Sequence, residues 1–556
     1  MHFVSSCAAL FASAAVVVAQ QQAAPAFEPT YFNVTEALRE LEIHVEEIPA
    51  LASFLQVTPL GGRAPDRKGS ACQAACATLQ FVYGSDHVYT HDEAGYSNFT
   101  GSYWSNKQQN VSPRCIFKPS KAADVSAVVL LSRLTQCPFA AKSGGHAAMA
   151  GASSIEGGIT ISFANLNGIA LNEDKSVASV GPGNIWGHVY ESLATSNRTV
   201  IGGRLFNIGV GGLTTGGGIS YFSPRYGWAG DNVESFDVVT ASGIMVRASA
   251  HEYPDLYWAL RGGGNNFGLV VNFNLKTIPL PQGQIWGGRK TYMESEFRGL
   301  DEAFAYVATN AAQDVDAGLY VVYVYTGGRK LGLPVFYHAD VLEGSKSPVW
   351  AGFNNIKAVG DTTKTRVLTE WATETMHDSP IGKRQLFYTL STKADVEMST
   401  FARQRFFDTV ASAVGDVPGI GPNIVFQAIG TPQIEQMQKN GGNPLGLNPK
   451  DGPVYIMLLA ASWANREDDA RVTAYLSGLL KEIKAEAVAR GSFVDYVYMN
   501  YASEYQDVIS SYGAANKAKL QGVAQKYDPA QVFQKLQPGY FKLDRAPTPG
   551  TEYYNV

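Results

Sequence analysis

The chain has 556 residues, 45% of them hydrophobic and 17% charged, with a formal net charge of −5. That length exceeds what one hydrophobic core usually serves, so two domains are expected, and the composition is that of an ordinary globular protein. The mildly acidic balance gives no basis for a nucleic-acid or anionic-membrane partner, and a monomer is the expected unit.

Residues Phe3–Val18 are apolar or small, and Val17-Val18-Ala19 suits cleavage before Gln20, so 1–19 is expected to be a secretory signal. The run is too short for a membrane span, and no later segment is long and apolar enough to be one. Gln20–Pro29 is polar and Pro-bearing and is expected to be a disordered mature terminus. Helical spacing covers Asn33–Ile48 and again Ser70–Tyr83. Setting aside Cys7 in the signal, four cysteines remain: Cys72, Cys76, Cys115 and Cys137. An even number in a secreted chain implies two disulfides. Cys72 and Cys76 are neighbours on one helix face, so each is expected to pair outward with Cys115 or Cys137, in either connectivity. The metal reading of this pair lacks a second ligand pair, and His87 with His91 lacks a third ligand. Asn33, Asn98, Asn110 and Asn197 head glycosylation sequons.

The pattern sharpens at Pro113. Ile116-Phe117 reads as a strand, and a helix follows from Pro119 with Ser120 as its N-cap. Phe139–Lys142 is the next strand, and Ser143-Gly144-Gly145-His146-Ala147 turns out of it. Strands are expected at Gly158–Phe163, Val177–Val180 and Thr199–Ile201, with a helix at Ile185–Ser196. Val233–Thr240 and Ile244–Arg247 form a hairpin around Ala241-Ser242-Gly243, Asp255–Leu260 is a short helix, and Leu269–Ile278 is an alternating strand. Pro279-Leu280-Pro281 breaks the pattern and marks a domain boundary. Beyond it come strands at Leu319–Tyr325, Leu331–Tyr337 and Val454–Ala460, and helices at Met398–Ala413 and Arg466–Ala489. This is α+β texture, a sheet lined by helices on one face. A final helix runs from Ala515 to Tyr527.

Chemistry concentrates in glycine clusters beside apolar runs: Gly144-Gly145, Gly202-Gly203, Gly209 to Gly218, and Gly262 to Gly268. Side chains given up next to strands suit a long, flat, phosphate-bearing ligand. No Gly-x-Gly-x-x-Gly follows a strand and no Walker motif is present, which disfavours nicotinamide and ATP. Ser143-Gly144-Gly145-His146, the Gly209–Gly218 cluster, Asp255 to Gly264, Tyr498-Met499-Asn500-Tyr501 and Lys526-Tyr527-Asp528-Pro529 together resemble the berberine-bridge-enzyme-like oxidases. These belong to the vanillyl-alcohol-oxidase (PCMH-type) class of FAD enzymes. The likeness is close over roughly 110–280 and 490–545 and loose between.

The resemblance implies a two-domain α+β fold. Residues 20–110 lead into an FAD-binding domain at 111–282, 283–490 build a substrate domain, and 491–545 return to the flavin. It implies FAD bonded covalently through His146, with Lys142, Ser143, Gly144, Gly145, Ala147, Gly209, Gly211, Gly212, Gly216 and Gly217 around the cofactor. A second link from cysteine, found in many relatives, falls here on Leu205, which has no nucleophile. Ile208 stands at the position that governs oxygen access, leaving oxidase and dehydrogenase open. Tyr498 is the expected base, with Tyr501 second and Asn500 as a hydrogen-bonding partner; a phenol needs neighbouring charge or hydrogen bonds to serve. The expected activity is hydride transfer from an alcohol or related carbon of a carbohydrate or secondary metabolite to FAD, with O2 reoxidation to H2O2. The alternative is a flavin-retaining ligand-binding or cyclisation protein without redox chemistry.

Overall fold

The computed structural model describes residues 27–29, 31–57 and 67–549. The expected signal at 1–19 lies outside them. At 27–29 the expectation of a disordered terminus is corrected. The Phe27 N–H donates to the Lys526 carbonyl, and the Glu28 carboxylate pairs with Arg133 at 2.8 Å with both side chains nearly enclosed. A buried, bidentate pair of this kind ties a terminus down.

Three sheets organise the chain. The first has the order Val88–Tyr89, Cys115–Phe117, Ile159–Ser162, Phe139–Lys142, and its last three strands run parallel. Cys115–Phe117 and Ile159–Ser162 are buried at every position, as a parallel sheet covered on both faces requires. The crossover helix is Ala122–Thr135, and its cap differs from expectation. Lys121 is the N-cap, and the Asp124 carboxylate reaches back to the backbone N–H groups of Ser120 and Lys121. An acidic side chain in the first turn satisfies these orphan donors better than a hydroxyl one residue too early.

The helix Arg67–Tyr83 packs against this sheet, and two disulfides bind it there: Cys72–Cys137 and Cys76–Cys115. Cys72–Cys137 spans 65 residues and Cys76–Cys115 spans 39. Replacing both members of one pair by alanine is expected to lower stability by about 2–4 kcal/mol, the more so for the longer loop. Denaturant midpoints of the two double variants check this, and equal midpoints to wild type would contradict it. Asn33, Asn98, Asn110 and Asn197 are all exposed.

The second sheet is built on the strand Leu269–Pro279, which pairs antiparallel with Val177–Val180, Arg198–Val200 and Val233–Val239. From Val271 to Ile278 its residues alternate between buried and half-buried, the signature of one face turned to the core. The chain leaves this sheet at Leu280–Gly283 and enters the third at Gln284–Met293. That third sheet has nine strands, all antiparallel. Met457, Leu459 and Ala461 of strand Val454–Trp463 pack on the helices Phe297–Thr309, Val396–Val414 and Asp469–Ala489. Their neighbours Leu458 and Ala460 point the other way, with Val425, Phe387 and Tyr501. Period-2 alternation thus gives the sheet one face for its helices and one for the rest of the molecule.

The C-terminal segment closes back on the first half. Lys526 and Tyr527 bond to Asp255, and the Asn265 and Asn266 amides donate to the carbonyls of Gly539 and Phe541. Among the described residues no helix is long and apolar enough to cross a membrane.

Candidate active site

A cavity of about 360 Å³ opens where these parts meet. The turn Ser143–Ala147 forms one wall and the segment Arg204–Thr215 a second. Phe387 and Leu458 of the nine-stranded sheet form the third, and Tyr498, Asn500, Tyr501, Gln537 and Tyr540 come from the returning C-terminal segment.

The glycines have a more specific task than clearing space. A Cβ on Gly144 would lie 2.4 Å from the Gly209 nitrogen, and one on Gly209 2.2 Å from the Gly144 nitrogen. The two glycine clusters therefore exist partly for each other: two backbones cross in contact, and neither position tolerates a side chain. Ser143 fastens the crossing, its hydroxyl donating to the Pro182 carbonyl at 2.6 Å and accepting from the Gly211 N–H at 3.0 Å. Gly212 alone of this group has open space where a Cβ would stand. Gly216 and Gly217 do not line the cavity; side chains there would strike Asn500 and Trp228. Nor does Lys142: its ammonium sits 5.0 Å from the Tyr103 ring centre and 5.1 Å from that of Phe99, and burial lowers it to about 8.

His146 lies on the cavity wall, and its Nε2 is buried without a hydrogen-bond partner. Burial lowers the imidazole to about 4, so it is neutral at physiological pH and its ring nitrogen is a nucleophile. A second buried, unpartnered atom among the lining residues is Gln537 Oε1, an acceptor. Buried polar atoms are almost always paired, so two orphans in side chains that line one cavity mark a place for a bound group. Together with the open face at Gly212 and the apolar lining of Ile208, Leu213, Leu269 and Val270, the site fits a large, flat, partly polar cofactor of the flavin class.

The tyrosines divide. The Tyr498 hydroxyl is buried; it accepts from the Ile219 N–H and the Asn500 amide, each at 3.1 Å, and burial raises it well above the usual phenol range. The Tyr501 hydroxyl accepts from Arg204 Nη2 at 2.7 Å and Gln427 Nε2 at 3.3 Å. Arg204 is 7% exposed, its other terminal nitrogen donates to Gln427 Oε1, and its guanidinium stacks over the Tyr320 ring at 4.5 Å. Arg204 is thus a buried cation whose hydrogen-bond partners are an amide and a phenol. The two tyrosines expected near the reaction thus differ in their neighbours: a backbone N–H and an amide for Tyr498, a buried guanidinium and an amide for Tyr501. Asn500 donates to the Leu213 carbonyl and to Tyr498, bracing the segment.

Sequence reasoning missed Arg204, Gln427, Phe387, Gln537 and Trp104. Arg204 sits beside Leu205, which also lines the cavity. A lone arginine next to a glycine pair carries no signal until its buried, acid-free surroundings are seen. His87 and His91 take the Lys118 carbonyl and the Ser112 hydroxyl as partners, and among the described residues no cluster suits a metal.

Comparison with known proteins bears on the same residues. The family model described as "FAD binding domain" matches residues 113–249. The FAD-dependent monooxygenase tpcD of Cochliobolus heterostrophus is 35% identical over 490 residues, covering 85% of this chain and 94% of that protein. The bifunctional solanapyrone synthase of Alternaria solani is 29% identical over 504 residues, covering 90% and 95%. Among solved structures, berberine bridge enzyme superposes with a TM-score of 0.69 at 17% identity, covering 86% of this chain and all of that one. Xylooligosaccharide oxidase from Myceliophthora thermophila does so with 0.67 at 22%, again covering 86% of this chain. The fold is theirs, the FAD-binding segment carries the glycine turn and His146, and the chain belongs to the family of FAD-linked oxidoreductases that includes these fungal FAD-dependent monooxygenases.

Proposed function

We propose that the protein is a secreted, glycosylated oxidase that carries FAD on a single covalent bond from His146 and oxidises an apolar small alcohol or phenol of secondary-metabolite type. In this reading 111–282 and 491–545 hold the cofactor and 283–490 covers the substrate. The unpartnered, neutral Nε2 of His146 in the cavity wall is the observation that carries it. Leu205 in place of a second nucleophile supports a single link. The two disulfides suit an oxidising compartment. The substrate class rests on the lining: Leu205, Ile208, Ile219, Phe387 and Leu458 offer apolar contact where a sugar would need a dense set of hydrogen-bonding side chains. A relative named as a solanapyrone synthase supports a metabolite rather than a sugar as substrate.

Bound FAD supplies the hydride acceptor and, with O2, the outlet to H2O2. The protein's share is positioning and proton management. Phe387 and Leu458 press the substrate toward the glycine wall and exclude water. Tyr501 would act as the phenolate, its charge balanced by the Arg204 guanidinium, and on taking the substrate's hydroxyl proton it becomes the neutral phenol. Gln427, itself held by Arg204, donates a second hydrogen bond to the Tyr501 hydroxyl. Tyr498 and Asn500 hold the segment on Ile219 and Leu213.

The test is anaerobic bleaching of the flavin band with a panel of lipophilic alcohols and phenols against a panel of mono- and oligosaccharides. Bleaching by the first panel, with H2O2 on admission of air, is expected. Bleaching by sugars alone would overturn the substrate class, and no bleaching by either panel would favour the non-redox alternative.

A further inference from the structure

The imidazole of His146 does not stand alone in its wall. The indole of Trp104 lies over it with ring centres 4.3 Å apart and planes inclined by only 11°. Trp104 is buried, and the structure grips it on every side. Its N–H donates to the Gly145 carbonyl at 3.2 Å, within the same turn that presents His146. Its indole N–H donates to the Ser379 carbonyl at 3.3 Å, its own carbonyl accepts from the Gly382 N–H at 3.0 Å, and Phe387 leans on the ring at 5.6 Å. The residues that follow brace the turn further on: the Ser105 hydroxyl donates to the Ala148 carbonyl at 2.8 Å, and the Gln108 amide to the Ala147 carbonyl at 2.9 Å. One short segment, 103–109, thus clamps the turn backbone at Gly145, Ala147 and Ala148 and covers one face of the His146 ring.

We propose that Trp104 is the positioning residue for covalent cofactor attachment, holding the His146 ring in the plane from which its nitrogen reaches the flavin's 8α carbon. The proposal rests on the reading of His146 as the attachment point. The net step joins an imidazole N–H and the 8α methyl: a nitrogen–carbon bond forms, one N–H and one C–H bond break, and two electrons and two protons pass to O2 as H2O2. A ring free to rotate about its side-chain bonds would meet the carbon in the right orientation only part of the time, and fixed orientation is worth large factors in rate. Stacking supplies that orientation without occupying Nε2, whereas a hydrogen bond to that nitrogen would compete with the reaction. Because Trp104 is itself held by Ser379 and Gly382, which precede the strand Arg384–Lys393, attachment is tied to docking of the substrate half on the turn.

The experiment reconstitutes full-length protein, prepared without flavin, with FAD in air and follows covalent flavin by fluorescence of the denatured band. Wild type is expected to reach full attachment. Trp104→Leu should bind FAD, as judged by the visible spectrum, yet attach it at least about tenfold more slowly. Trp104→Phe, which restores an aromatic face, should lie within about threefold of wild type. Should the leucine variant not fold, Trp104→Met serves as the ring-free comparison. Attachment at the wild-type rate in either folded ring-free variant overturns the proposal while leaving His146 in its role. No covalent flavin in wild type overturns both.

Discussion

Tyr501→Phe is expected to slow anaerobic flavin reduction roughly 10²–10⁴-fold, the usual worth of a positioned general base. The substitution keeps the ring that packs beside Phe387 and deletes only the oxygen that accepts from Arg204 and Gln427. Folding and flavin content should therefore be unchanged. Tyr498→Phe is the control, because its hydroxyl serves Ile219 and Asn500 and burial holds its proton tightly. It should slow reduction far less than Tyr501→Phe. Arg204→Met should resemble Tyr501→Phe, since an uncharged chain of similar length leaves the phenol without its cation. Stopped-flow reduction measures all three, and a Tyr498→Phe loss equal to or above that of Tyr501→Phe would restore Tyr498 as the base.

The comparison of these tyrosines shows where sequence reading ends. The Tyr498-x-Asn500-Tyr501 spacing places both phenols on one returning segment, and the structure puts all three side chains on the cavity. Which phenol meets a cation depends on Arg204, nearly three hundred positions away in sequence, and no local pattern carries that. The glycine turns were legible as backbone without side chains, but not the reason: Gly144 and Gly209 make room for each other, while Gly216 and Gly217 make room for Asn500 and Trp228. Strands such as Leu269–Pro279, with one polar and one apolar face, declare their orientation. Val454–Trp463 is buried at nearly every position, so alternation could not tell the helix face of Met457 and Leu459 from the cavity face of Leu458. That ambiguity is why the nine-stranded sheet is the least readable part of the chain.

His146→Ala is expected to abolish covalent attachment outright. Wild-type protein precipitated in acid should stay yellow; the variant should release its flavin to the supernatant, while the cavity still binds FAD reversibly through the glycine wall. The pH dependence of attachment gives an independent check. Burial lowers His146 to about 4, so the neutral, nucleophilic ring persists as pH falls. A histidine at its ordinary value of about 6.5 would lose about thirtyfold of its neutral form between pH 8 and pH 5, whereas this one loses almost none. The rate at which flavin-free protein attaches FAD should thus be nearly flat from about pH 8 to about pH 5 and decline only nearer pH 4. A decline centred near 6.5 would mean that the imidazole is solvated before the cofactor arrives, and that the cavity wall forms around FAD rather than ahead of it.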